Sequence, residues 1–170
     1  MKFSPYVLDL SGNMFPAVIS EMTDADASQT DEEPKWQTSW TSDFLRSGRF
    51  EKYAVTVQDD LIALGAYEVQ EKALVVHIVY MEASPENNPT ISGQNRKYRG
   101  IGRLLIAFGI KLSVDHGFGG DVVLEAKTPE LAEHYERDFG AVRLPAFSST
   151  APRFLIADEA AKRIFFSYLS

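Results

Sequence analysis

"KYRGIG", residues 97–102, stands directly before "RLLIAFGIKLSV" and is the stretch that decides the fold. Apolar residues recur there at i, i+3, i+4, i+7 and i+11, which predicts an amphipathic helix: Ile101, Leu104, Leu105, Phe108 and Leu112. Glycine lets a backbone approach a ligand closely, and a helix N-terminus offers unpaired N–H groups at the positive end of the helix dipole. Gly100 and Gly102, surrounded by basic side chains at Arg96, Lys97, Arg99 and Arg103, therefore predict a site for phosphate oxygens.

Two common phosphate-binding motifs do not fit this stretch. A Rossmann fingerprint needs a third glycine where Leu105 stands, and a P-loop needs Gly-Lys-Ser/Thr, which is absent. On the local sequence alone, a tight helix start without a ligand remains the alternative.

The residues before the glycines read as an antiparallel meander. Three strand-like runs, "EKYAVTVQ", "LIALGAYEVQ" and "ALVVHIVYME", lie between Glu51 and Glu82 and are separated by charged residues. The third run is apolar on both faces except at His77, which predicts a central strand covered on both sides. His77 is interpreted as a satisfied strand-face histidine in preference to a ligand.

The residues after the helix alternate between strand and helix. "HGFGG" ends the first helix, and a strand at 122–124 then predicts a parallel pair with the third run of the meander. Thr128 is predicted to cap a second helix that begins at Pro129 and stops at Gly140. Strands at 141–144 and 153–156 precede a terminal helix for which Asp158 is the predicted cap.

Upstream of the meander the pattern is weaker. We predict a strand at 6–10, a loop or lid at 21–34, and a short helix from Ser42 through Arg46 that is ended by Gly48. Together the elements predict one α/β sheet, mostly antiparallel, with a central splayed parallel strand pair and flanking helices.

Composition restricts the class of protein. With 170 residues, 45% of them apolar, the chain is predicted to form a single domain, 1–170. It has no cysteine, no secretory signal pattern and no long apolar run, so we expect a cytoplasmic protein without disulfides or a membrane anchor. The net charge of −7 argues against nucleic acid and membranes as partners. The three histidines lie far apart and no metal motif is present, so no metal is expected.

The basic residue, two spacers and Gly-x-Gly at a helix start, followed by "LAEHYERDFGAVRL", resemble the GNAT-type N-acetyltransferase superfamily, including bacterial members of uncertain substrate. The resemblance is clearest over 97–144 and extends by element order back to about Glu51. It implies acetyl-CoA (coenzyme A) as donor, with its pyrophosphate held by backbone amides of the glycine turn. By matching position, the implied cofactor-binding residues are Lys97, Tyr98, Arg99, Gly100, Ile101, Gly102 and Arg103. Lys97 departs from the family's usual Arg or Gln, and "LEAKTPE" lacks the asparagine often found there.

The resemblance also implies catalytic and substrate-binding residues. Tyr135 takes the place of the acid that protonates the departing thiolate; a phenol pKa near 10 against a thiol pKa near 8.5 suits that role. Glu82 is the candidate base for the amine, and backbone N–H groups at Tyr80 and Met81 are candidates to meet the oxyanion. Asn87 and Asn88 are expected to line the acceptor side. The structural alternative for Tyr135 is a core tyrosine, and for Glu82 it is a solvated carboxylate at the end of a strand. For Asn87 and Asn88 it is a plain turn.

The expected function is direct acetyl transfer to an amine on a small molecule or peptide. A non-catalytic acyl-CoA-binding regulatory module on the same fold is the alternative, and acylation of a protein N-terminus or charged tRNA is a third. The identity of the acceptor and the formation of a homodimer are left open.

Overall fold

The structure of the protein is a computed structural model that describes residues 1–145 and 151–170. Within those residues the strands are β1 (Tyr6–Asp9), β2 (Met14–Pro16), β3 (Val18–Glu21), β4 (Glu51–Val57), β5 (Asp60–Gln70), β6 (Val75–Ala83), β7 (Tyr98–Arg99), β8 (Val122–Glu125), β9 (Val142–Arg143) and β10 (Arg153–Ile156). The helices are α1 (Asp24–Gln29), α2 (Pro89–Ser92), α3 (Ile101–Asp115), α4 (Pro129–Phe139) and α5 (Asp158–Phe166).

The chain divides into two compact units. The first contains Met1–Ala66, Tyr80–Leu105 and Ser170, and the second contains Tyr67–Val79 and Ile106–Leu169. That the whole chain is one domain stays a prediction.

The first unit contains a small antiparallel sheet in the order β2-β1-β7. The turn between β1 and β2 is held by the Asp9 carboxylate, which accepts hydrogen bonds from the backbone N–H groups of Ser11 and Asn13. In the same unit the strand order is β3, β4, β5, β6, where β5 contributes residues 60–66 and β6 contributes residues 80–83. This is the predicted meander, extended by an edge strand at β3 that the sequence did not predict.

The second unit contains the parallel pair. Its strand order is β5, β6, β8, β10, β9, where β5 contributes residues 67–70 and β6 contributes residues 75–79. Strand β6 runs parallel to β8, with Val76 opposite Val122 and His77 opposite Val123. The ladder ends at His77, although both strands continue past it. The predicted α/β fold with a mostly antiparallel sheet and a central parallel pair is therefore confirmed.

The second helix of the alternating segment begins and ends as its sequence predicts. Thr128 caps α4 by accepting a hydrogen bond from the N–H of Leu131 at 3.1 Å, and Pro129 occupies the first helical position. Gly140 ends the helix with a φ of +64°, a left-handed conformation that glycine adopts without steric cost.

Three local predictions are wrong. The 21–34 segment contains α1, because Thr23 and Asp26 form a reciprocal capping box. The helix expected from Ser42 is a series of turns in which the N–H of Arg46 donates to the carbonyl of Ser42 at 2.9 Å. Ala157, and not Asp158, is the N-cap of α5; Asp158 itself has a φ of +51° and its side chain makes no capping bond.

Ser113 is a source of instability in α3. Its hydroxyl is fully buried and has no hydrogen-bond partner among the described residues. A buried polar group without a partner costs roughly 1–3 kcal/mol. We expect Ser113→Ala to raise the free energy of unfolding by about 1 kcal/mol, measured by urea denaturation. As a control, Ser92→Ala removes a hydroxyl that donates to the Pro85 carbonyl, and it should lower that free energy. A Ser113→Ala protein that unfolds at lower urea than the parent contradicts the prediction.

Candidate functional site

The glycine turn has the geometry of an oxygen-binding helix start. Gly100 has a φ of +84°, which strongly favours glycine, and its carbonyl accepts the first helical hydrogen bond from the Leu104 N–H at 3.0 Å. The N–H groups of the first turn of α3 consequently have no acceptor within the helix. Such N–H groups at the positive end of the helix dipole favour an anion.

Neither its backbone conformation nor the packing around it requires Gly102 to be a glycine. Its φ is ordinary, and a Cβ built there would meet nothing within 4 Å. Gly109, on the same helix, differs because its Cβ would lie 3.0 Å from a methyl of Ile78 and 3.2 Å from the ring of Tyr67. Glycine inside a helix costs about 1 kcal/mol relative to alanine. Packing explains Gly109, whereas open space next to Gly102 is what a closely approaching ligand requires.

The basic side chains around the turn have different surroundings. The guanidinium of Arg99 donates to the backbone carbonyl of Leu10 at 3.1 Å and so ties the turn to the end of β1. The Lys97 ammonium lies over the Tyr98 ring, 5.4 Å from its centroid, on an exposed side chain. Lys97 is therefore better placed than Arg99 to add charge at the turn.

The end of β6 carries a buried carboxylate. Glu82 is 5% exposed; its Oε1 accepts from the indole N–H of Trp40 at 3.0 Å, and its Oε2 accepts from the backbone N–H of Gln37 at 2.7 Å. The N–H of Thr38 is a longer donor to the same oxygen, at 3.4 Å. Glu82 thus fastens residues 37–40 to the end of β6.

The same segment makes further side-chain contacts in this unit. The hydroxyls of Tyr80 and Thr38 are 2.6 Å apart, and the Tyr80 ring lies 5.6 Å from the ring of Trp40. The Asn88 side chain donates to the Gln37 side chain at 3.0 Å. As the N-cap of α2, Asn88 also accepts a hydrogen bond from the N–H of Thr90. Polar groups of residues 37–40, of the end of β6 and of Asn88 are therefore joined in one network.

Tyr135 lies in the second unit, on α4. Its ring is buried and packs edge-on against Phe154, with centroids 6.1 Å apart. Its hydroxyl makes no hydrogen bond within 1–145 and 151–170. Burial, and then the negative charge of Glu125, raise the pKa of Tyr135. The phenol therefore stays protonated at neutral pH and has a proton to donate.

A charged cluster joins β6, β8 and β10 in this unit. Glu125 accepts from His77 Nε2 and from Arg153 Nε, each at 2.7 Å. Burial raises the pKa of Glu125, but the bonds and charges of His77 and Arg153 outweigh it, so the net shift is downward. His77 has a carboxylate partner, as its interpretation as a satisfied histidine requires.

Two classes of site are not found in the described part of the chain. No group of three or more His, Asp or Glu side chains there is placed to hold a metal ion. Likewise, no helix in residues 1–145 and 151–170 combines the length and the apolar character that crossing a membrane requires.

No protein-family model and no curated protein matches the sequence. Solved structures do match. AAC(6')-Ib, in complex with paromomycin and acetyl-CoA, has a TM-score of 0.59 at 12% identity, over 86% of this chain and 96% of that one. The GNAT domain of PAT from S. lividans has a TM-score of 0.57 at 12% identity, over 90% and 96%. The chain has the GNAT fold. The ribosomal-protein-S18-alanine N-acetyltransferase from Escherichia coli also shares it, with a TM-score of 0.56 at 14% identity over 84% and 95%.

The predicted site residues of this GNAT fold fall in both units. The first unit holds the glycine turn, the β6 end and both asparagines: Tyr80, Met81, Glu82, Asn87, Asn88, Lys97, Tyr98, Arg99, Gly100, Ile101, Gly102 and Arg103. The second holds Tyr135. Identities of 12–14% establish the fold and leave the role of each residue a prediction.

Sequence reasoning missed residues 37–40 as part of the site. Their link to Glu82 spans more than forty positions and leaves no periodic signal. The available clue was "WQTSW", two tryptophans around polar residues in a chain that has no other tryptophan.

Proposed function

We propose that this protein is an acetyl-CoA-dependent N-acetyltransferase that transfers the acetyl group directly to an amine. The observation that carries the proposal is the glycine turn at the start of α3, with a left-handed Gly100 and open space at Gly102. The GNAT fold supports it, since structures with that fold include acetyltransferases and complexes with acetyl-CoA.

The residues of the turn fit a diphosphate. The N–H groups at the start of α3 offer hydrogen bonds and a positive dipole end to phosphate oxygens, and Lys97 adds a nearby cation. Any side chain at position 102 would occupy the space next to these N–H groups. We infer that 97–103 hold the cofactor mainly through the backbone.

Acetyl-CoA, when bound, supplies an activated acetyl group and a thiol leaving group. We propose that the N–H groups of Tyr80 and Met81 stabilise negative charge on the carbonyl oxygen. In this proposal Tyr135 donates its phenolic proton to the leaving sulfur, and Glu82 is the candidate acceptor of the proton that the amine loses. For Glu82 to act in this way, the amine has to reach a carboxylate that already accepts hydrogen bonds from Trp40 and Gln37.

Tyr135→Phe tests the acid. We expect kcat to fall about 100-fold with an unchanged Kd for acetyl-CoA, because only a proton donor is removed. Since the pKa of Tyr135 is raised, activity of the parent protein should show no loss from phenol ionisation up to about pH 10. Stopped-flow thiol release measures kcat and its pH dependence, and calorimetry measures the Kd for acetyl-CoA. Tyr53→Phe, which loses a hydroxyl bond to Glu51 on β4, is the control for loss of a phenolic oxygen. Unchanged turnover in Tyr135→Phe would remove the residue from the mechanism.

The function itself is tested in two steps. Isothermal titration calorimetry with CoA and acetyl-CoA measures binding, and free-thiol release measures transfer. The amine panel includes paromomycin, peptides with N-terminal alanine and linear polyamines, the first two following the names of matched proteins. No heat with either form of CoA would end the proposal.

A non-catalytic acyl-CoA-binding module is the second candidate. It is favoured by the engagement of both Glu82 oxygens, which leaves the predicted base bound to the protein's own N–H groups. Binding of acetyl-CoA with no thiol release from any amine in the panel would select this function.

A further inference from the structure

Asn87 is buried between the end of β6 and the glycine turn. It is 2% exposed and belongs to the 3-10 turn Pro85–Asn87 that directly follows β6. Its Oδ1 accepts from the backbone N–H of Tyr98 at 2.8 Å, and its Nδ2 donates to the hydroxyl of Ser84 at 2.9 Å. Both ends of the amide are used inside the chain.

The residue that Asn87 holds stands two positions before Gly100. Tyr98 is itself buried, pairs with Asp9 in the β1–β7 ladder and packs its ring 5.5 Å from that of Phe15. One residue earlier, the N–H of Lys97 donates to the Glu86 carbonyl at 3.2 Å. The backbone that enters the glycine turn is therefore fixed by β1 and by the Pro85–Asn87 turn.

We propose that Asn87 is a positioning residue for the coenzyme's diphosphate, acting through the backbone of Tyr98. The inference rests on the proposed function and gives Asn87 a role other than contact with the acceptor. A cradle made of backbone N–H groups has no side chains to adjust, so its affinity depends on where the backbone is held. Oδ1 of Asn87 is the acceptor that holds it, and the hydrogen bond from Nδ2 to the Ser84 hydroxyl restrains the amide group in that position.

Removing that acceptor leaves a buried N–H without a partner at the mouth of the turn. The backbone then has to move to reach water or another acceptor. Such a movement tilts the N–H groups at Gly100 and Gly102 away from a bound diphosphate. The acceptor amine, which does not bind the turn, is unaffected.

The test compares Asn87→Ala with the parent protein by calorimetry with CoA. We expect Asn87→Ala to weaken the Kd about tenfold, the effect of about one hydrogen bond. In steady-state assays, KM for acetyl-CoA should rise while KM for the amine and kcat stay constant.

Ser92→Ala is the matched control. The Ser92 hydroxyl donates to the carbonyl of Pro85, in the same 3-10 turn, but does not reach Tyr98. It should lower stability and leave the Kd for CoA unchanged. Ser84→Ala removes one hydrogen bond of the Asn87 amide and leaves the amide in place. It replaces Asn87→Ala as the test if Asn87→Ala does not fold, and it should raise the Kd for CoA about threefold.

The possible results distinguish a failure of the proposed role of Asn87 from a failure of the proposed function. If the parent protein gives no heat with CoA, the proposed function fails and the inference fails with it. If the parent binds and Asn87→Ala, or Ser84→Ala in its place, binds equally well, only the inference is overturned. It is also overturned if Ser92→Ala weakens binding as much as Asn87→Ala, or if the amide resonances of Gly100 and Gly102 do not move in Asn87→Ala.

Discussion

Gly102→Glu is expected to abolish CoA binding while making the protein more stable. A Cβ at this position meets no atom within 4 Å, so the fold accommodates the change. Glutamate is a better helix former than glycine by about 0.5–1 kcal/mol, and a negative charge near a helix N-terminus is favourable. Both effects raise the free energy of unfolding.

The same carboxylate opposes the ligand. It would lie beside the N–H groups proposed to hold the diphosphate, and two like charges about 4 Å apart repel by about 4 kcal/mol at an effective dielectric constant of 20. The Kd for CoA should rise by at least about 100-fold. Calorimetry gives the affinity, and urea denaturation gives the stability.

Gly48→Glu is the control. Gly48 also has an ordinary φ and open space around its Cβ, but it lies outside the glycine turn. It should bind CoA as the parent does. A Gly102→Glu protein that keeps its affinity for CoA would show that the start of α3 is not the phosphate site.

Glu82→Gln is expected to lower the free energy of unfolding by about 2 kcal/mol. The carboxylate satisfies the Trp40 indole with one oxygen and the Gln37 N–H with the other. A glutamine has one carbonyl oxygen, so its NH₂ group must face one of those donors, and a buried donor without an acceptor costs about 1–3 kcal/mol. Thermal and urea denaturation measure the loss.

This substitution also separates two roles of Glu82. A residue that acts only as the base would lose turnover at full stability, whereas one that fastens residues 37–40 loses both. Glu86→Gln, on an exposed side chain four positions along, should change stability by less than about 0.5 kcal/mol. Unchanged stability in Glu82→Gln would contradict the structural role described for this carboxylate.

Local chemistry made much of the fold predictable. The period of Ile101, Leu104 and Leu105 predicted α3, and Thr128 with Gly140 marked both ends of α4, because these signals act within one or two helical turns. The prediction of a loop at 21–34 was wrong even though its signal was local, since the Thr23 and Asp26 capping box was read as part of an acidic loop.

Contacts between distant residues were not predictable in this way. Whether Arg99 faces a phosphate or the carbonyl of Leu10 depends on β1 lying beside β7, and nothing near position 99 encodes that pairing. The polar pattern around Asn87 was likewise compatible with an exposed turn. In the structure Asn87 is buried, and its Oδ1 is satisfied by the N–H of Tyr98, eleven positions later.

The sequence by itself determined that a helix begins at two glycines among basic residues, after a strand meander, because helix periodicity and glycine conformation are properties of a few neighbouring residues. Only the tertiary structure decided that Glu82 binds residues 37–40 and that Asn87 binds Tyr98. The physical reason is that a buried polar group takes whichever partner the packed chain brings within about 3 Å, and that partner is set by the fold as a whole.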